Sequence, residues 1–167
     1  MKRPLPYLRG FPGLATGELS LENDKRARNR NTGDTFTRPD ITAVGIRRYI
    51  YLTNRLEVIT FEIKPAEAVS IMGILEAIAH RESAHRVYVR YAASRAKFEA
   101  ATDGDRIMEV AQKYGVGIVL TEKVDEVESW EILLDASRNE PDPTRLDRFL
   151  ADLPGDNMKM QLAKWKA

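Results

Sequence analysis

Three side chains in this chain have the types and spacing to handle a phosphate ester: Asp40, and Glu62 with Lys64 two residues further on. Two carboxylates brought together repel each other until a proton or a cation intervenes, and their hard oxygens suit Mg²⁺ or Mn²⁺. A lysine ammonium at the same place can position water or help deprotonate it, and can offset charge developing on a phosphoryl group. Taken singly, Glu-x-Lys is common as a cross-strand charge pair on a solvent face, and Arg38-Pro39-Asp40 reads as a turn. The chemistry therefore depends on whether the two fragments meet.

The flanking residues say how they would. "ITAVGIRRYIYL" from Ile41 and "LEVITFEIK" ending at Lys64 are rich in β-formers and separated by Thr53-Asn54-Arg55, which predicts a hairpin. Antiparallel partners set the start of one strand beside the end of the other, so Asp40 and Glu62 can lie side by side. In the second run Ile59, Phe61 and Ile63 face one way and Val58, Thr60, Glu62 and Lys64 the other, which makes Glu62 and Lys64 neighbours on one face. Pro65 cannot serve a ladder but suits the first turn of a helix, so the next helix is expected to start there, with its positive dipole end near the three side chains. Ile71, Ile74, Leu75 and Ile78 continue it at i, i+3, i+4 and i+7, an apolar stripe for packing on a sheet.

Further along, "HRVYVRY" from His85 predicts a strand. A helix follows with Ile107, Val110, Ala111 and Tyr114 on one face and Gly115 as its C-cap, and then the short strand Val116 to Leu120. Strand, helix, strand in this order make a parallel βαβ unit. "ESWEILL" is expected to add an edge strand. Asp142-Pro143 reads as an N-cap with proline in the first helical position, before Leu146, Phe149, Leu150 and Leu153. The fold class is α/β, with a mixed central sheet flanked by helices. Residues 1–39 read as an irregular basic segment with a helical turn around Glu18 to Asp24, residues 40–154 as the domain, and residues 155–167 as a tail.

With 167 residues the chain fits one domain with a real core. Its formal charge is +1, so no global field marks nucleic acid or membrane as partner, and any basic surface must be local. Lys25, Arg26, Arg28 and Arg30 form such a loop just upstream of Asp40, able to hold phosphates or simply to face solvent. The absence of cysteine excludes disulfides, thiol nucleophiles and Cys-ligated zinc. No apolar run approaches a membrane span, which leads to the expectation of a cytoplasmic protein without membrane contact.

Pro39-Asp40 and Glu62-Ile63-Lys64, set among strand, strand, helix and strand between Thr37 and Leu120, resemble the PD-(D/E)xK nucleases. The resemblance implies a restriction-endonuclease-like αβββαβ core and Mg²⁺- or Mn²⁺-dependent hydrolysis of nucleic-acid phosphodiesters, DNA before RNA. It implies Asp40, Glu62 and the Ile63 backbone carbonyl as metal ligands and Lys64 as the residue that orients or activates water. Homodimerisation is left open. Family members often carry another acidic residue on a helix before the Pro-Asp motif, for which Glu18 and Glu22 are the candidates here. The competing reading is a catalytically inactive nuclease-like scaffold that binds nucleic acid or protein, with the three side chains joined as a salt bridge.

Other motifs carry less. His80 and His85 are five apart, so they do not share a helical face as HExxH zinc ligands do. Gly115-x-Gly117 is a cap followed by strand entry, not a dinucleotide fingerprint, because no helix opens after it. Tyr49, Tyr51, Tyr88 and Tyr91 could stack on bases, although strand aromatics more often pack in the core.

Overall fold

The computed structural model describes residues 17–23, 38–123, 129–153 and 155–166. Six strands form one sheet in sequence order: β1 (Gly17–Asn23), β2 (Ile41–Arg47), β3 (Arg55–Lys64), β4 (Arg86–Tyr91), β5 (Gly117–Thr121) and β6 (Trp130–Leu134). The β1–β2, β2–β3 and β5–β6 pairs are antiparallel, whereas β3–β4 and β4–β5 are parallel. Two crossovers produce the parallel pairs. One carries α1 (Ile71–His80), and the other carries α2 (Arg95–Glu99) and α3 (Gly104–Tyr114). After β6 come α4 (Pro143–Ala151) and α5 (Asp156–Lys166). The α/β class and the mixed sheet are as expected.

The alternation along β3 divides the core into two layers. Val44, Val58, Val87, Val89, Ile118 and Leu120 join Ile74 and Ala77 of α1, Phe98 of α2, and Ile107 and Ala111 of α3 on one face. Phe149 of α4 and Met158, Leu162 and Trp165 of α5 pack into the same cluster. On the other face Ala43, Ile59, Phe61, Tyr88 and Val119 cluster with Ala136 and Trp130. Among the described residues every helix thus contributes to one face, where a sheet flanked by helices was expected. No described helix is long and apolar enough to cross a membrane.

Several local expectations change. The hairpin connection is not a three-residue turn but runs over residues 48–54, because Ile50, Tyr51 and Leu52 find no face to bury and stand 88%, 93% and 70% exposed. β propensity alone does not extend a strand that lacks a packing partner. Residues 17–23 form a strand paired with β2, not a helical turn: Glu18 and Glu22 take the register positions opposite Ile46 and Thr42. The expected tail is α5, anchored by fully buried Met158. Gly115 does cap α3, at φ 66°, and Asp142 accepts a hydrogen bond from the Arg145 N–H at 3.0 Å to cap α4.

β5 passes close to the aromatic layer at Gly117. A Cβ there would run into the Tyr88 ring and approach the Ala136 nitrogen at 2.9 Å. That ring cannot step aside: it is fully buried, stacked on Phe61 at 5.4 Å, and its hydroxyl is bonded to Asp135. Gly117→Ala is expected to lower stability by about 1–3 kcal/mol as an overpacked core position, read as a lower urea midpoint with an unchanged slope.

Candidate active site

The β2–β3 ladder begins at Ile41, paired with Phe61, and continuing that register sets Asp40 beside Glu62. Asp40 turns back across this junction, and its Oδ2 accepts the Ile63 backbone N–H at 2.9 Å. In an extended strand the N–H and carbonyl of one residue point to the same edge. The Ile63 carbonyl therefore points to the side where Asp40 sits.

Glu62 and Lys64 share the helical face, as their spacing requires, and there they meet a residue that the sequence pattern did not single out. The Lys64 ammonium donates to Glu62 Oε1 at 3.0 Å and also to Glu76 Oε2 on α1. Lys64, Glu62 and Glu76 side chains are 18%, 12% and 22% exposed, so solvent screens this cluster far less than a surface ion pair. Close helix–strand approach makes the contact possible. Gly73, in the first turn of α1, faces Lys64 Cγ and the Tyr91 hydroxyl so closely that an added Cβ would lie 3.1 and 3.2 Å from them. The Tyr91 hydroxyl donates to the Ser70 carbonyl at 2.9 Å and pins the entry of the helix.

That entry differs from the expectation. Pro65 has φ −66° but an extended ψ of 164°, the chain makes a 3-10 turn over Ala66–Ala68, and α1 begins only at Ile71. Proline fixes φ alone and leaves ψ free.

The charges are strained in a defined direction. Burial pushes the Glu62 carboxyl up to about 7, with the negative charge of Asp40 and the hydrogen bond to Glu76 adding to it and Lys64 opposing. Burial alone would draw Lys64 down, but its bonds to Glu76 and Glu62 outweigh this and leave the ammonium above its usual range. Lys64 is therefore a cation at neutral pH, a donor rather than a base, while Glu62 can hold or release a proton there.

Among the described residues no three His, Cys, Asp or Glu side chains form a ready-made metal cluster. The donors that fit a hard divalent cation are Asp40, Glu62 and the Ile63 carbonyl. All are oxygens, and the raised Glu62 is a carboxyl that a nearby cation would relieve of its proton. Lys25, Arg26, Arg28 and Arg30 lie outside the described residues. Tyr88 and Tyr91 are fully buried and cannot stack on a ligand. His85 serves the backbone: its Nδ1 accepts the Val58 N–H at 3.0 Å, and burial drops its pKa to about 4. Comparison with protein-family models, curated proteins and solved structures gave no match.

The raised Glu62 has a signed consequence. Its folded pKa lies above the unfolded one, so the folded state holds the extra proton between about pH 4.5 and 7. Stability should fall as pH rises through that window, by on the order of 2–3 kcal/mol from this group. Glu62→Gln should flatten the slope, as read from urea midpoints at half-unit pH steps.

Proposed function

We propose that the chain is a metal-dependent nuclease of the PD-(D/E)xK type that acts in the cytoplasm and hydrolyses phosphodiester bonds of DNA in preference to RNA. The observation that carries this reading is the junction itself: Asp40 at the start of β2 bonds the Ile63 N–H at the end of β3, with Glu62 and Lys64 on either side of it. Asp40, Glu62 and the Ile63 carbonyl would hold Mg²⁺ or Mn²⁺, and the chemistry such an ion supplies when bound is Lewis acidity toward phosphoryl oxygens. The chain's own contribution lies around it. Lys64, kept protonated, orients water by donating a hydrogen bond and offsets the negative charge that builds on the phosphoryl oxygens. Glu76 holds the ammonium in place, and Gly73 keeps α1 close enough for it to do so.

One observation favours a second reading. Lys64 already bridges Glu62 and Glu76, an arrangement that a non-catalytic scaffold for nucleic acid or protein would use as a salt bridge. The two readings differ in what Lys64 is for.

Incubation of the protein with plasmid, linear DNA and RNA, with and without Mn²⁺, tests the enzyme. The parent is expected to cleave DNA only with the metal, and Lys64→Ala to lose turnover by about 100-fold or more, with Glu62→Gln equally impaired. Lys64→Ala also leaves Glu62 and Glu76 without a counter-charge and should melt lower in EDTA. Under the enzyme reading Mn²⁺ recovers that loss. A parent inactive on all three substrates, with a Lys64→Ala variant that melts low and ignores Mn²⁺, supports the scaffold.

A further inference from the structure

A cleft of about 210 Å³ opens beside the carboxylates, lined among others by Pro39, Thr60, His80, Glu82, Ser83 and Phe149. Its walls continue the proposed active site one step along the same elements. Pro39 precedes Asp40. Thr60 lies two residues before Glu62 on the same face of β3, and His80 lies four after Glu76 on the same side of α1. The cleft thus lies one step along the strand and helix that carry Glu62, Lys64 and Glu76, and Phe149 of α4 also lines it.

The lining has a definite chemistry. Thr60 is 1% exposed, and among the described residues its Oγ1 has no hydrogen-bond partner, an unfavourable state for a buried hydroxyl. A hydroxyl kept there at such a cost is suited to a ligand that supplies the missing bond. Buried His80 and the Ser83 hydroxyl add polar edges. Glu82 adds a carboxylate at the rim, paired with Arg145 on its exposed side. Pro39 and Phe149 supply apolar surface. Among the described residues no lysine or arginine lines the cleft, and a carboxylate does, so the described walls match a phosphate poorly. A flat, uncharged ring with hydrogen-bonding groups on its edge is well matched.

We propose that this cleft receives one unpaired nucleobase of the substrate strand, next to the phosphodiester held at Asp40, Glu62 and Lys64. The proposal rests on the nuclease reading and adds a substrate class to it. A base in an inward cleft can be neither stacked nor paired, so single strands, frayed ends and flaps are taken ahead of closed duplex. Thr60 bonds the base edge and Phe149 packs on its face.

The test is equilibrium binding, by fluorescence anisotropy in EDTA, of a labelled 12-nucleotide single strand and of a series in which one abasic residue is moved along it, an oligonucleotide length of roughly the single-strand site sizes known for such grooves. The parent should lose about tenfold in affinity when the abasic residue reaches one particular position, whereas Thr60→Val and Phe149→Ala should bind the intact strand more weakly and lose that positional dip. Thr60→Val removes an unsatisfied hydroxyl and should melt no lower than the parent, which separates its effect from misfolding. Equal affinity at every abasic position, a dip that survives in both variants, or no binding of any strand overturns the proposal. Cleavage of the same strands in Mn²⁺ is read separately: a parent that cuts but shows no dip keeps the nuclease reading and loses the cleft, and a parent that shows the dip but never cuts does the reverse.

Discussion

One contact sets the geometry on which the rest of the site depends: the Asp40 carboxylate accepting the Ile63 N–H at 2.9 Å. It ties the first residue before β2 to the last residues of β3, past the point where the backbone ladder between them ends. Without it the chain before Ile41 would be free to splay from the sheet, and the distance between the Asp40 and Glu62 carboxylates would be undefined. With it, a backbone donor at the strand end is satisfied by a side chain that is also a candidate ligand. The structural role and the proposed chemical one fall on the same carboxylate.

Electrostatics then follow from burial. Glu62 and Glu76 flank one ammonium at a place where water screens weakly, with the charge of Asp40 acting on Glu62, and the molecule answers by raising Glu62 toward neutrality and holding Lys64 charged. Partly buried charge of this kind is poor evidence for stability, since hydrophobic replacements often serve a fold as well or better. A cluster that costs stability at neutral pH, beside an unsatisfied Thr60 hydroxyl in an open cleft, is more readily explained by binding than by folding. The rigid frame is elsewhere: Glu57 is buried between Arg86 and Arg138 at 3.2 and 3.1 Å, and Asn139 donates its N–H to the His85 carbonyl, tying the segment after β6 back under β3.

Period-two alternation in residues 55–64 was enough to place Glu62 and Lys64 on one face and Asp40 at the neighbouring strand start, because antiparallel pairing leaves little choice of register once one face is buried. Gly115 and Asp142 were legible for the same reason: caps are local. Glu76 was not, since its meeting with Lys64 depends on a helix that starts at Ile71 rather than Pro65 and on the close approach at Gly73. Neither leaves a periodic signal. The reach of β2 is shorter than its β-formers suggest because Ile50 to Leu52 have strand-like side chains and nothing to pack against. The strand at Gly17–Asn23 was missed because pairing with β2, a tertiary fact, decides it. Met158, Leu162 and Trp165 dock α5 on a core formed by distant strands, so in the sequence they read only as a weak amphipathic tail.

The central claim is that the carboxylates at the β2–β3 junction are arranged to hold a divalent cation. Thermal unfolding of the parent at pH 7 across a Mn²⁺ titration tests it most directly, with Asp40→Asn and Glu62→Gln beside it. The account predicts a melting temperature that climbs with the logarithm of free Mn²⁺, corresponding to about 2.7 kcal/mol at a hundredfold excess over Kd, and a response lost in both variants. A parent whose melting temperature does not move with Mn²⁺, or moves equally in the two variants, would contradict it.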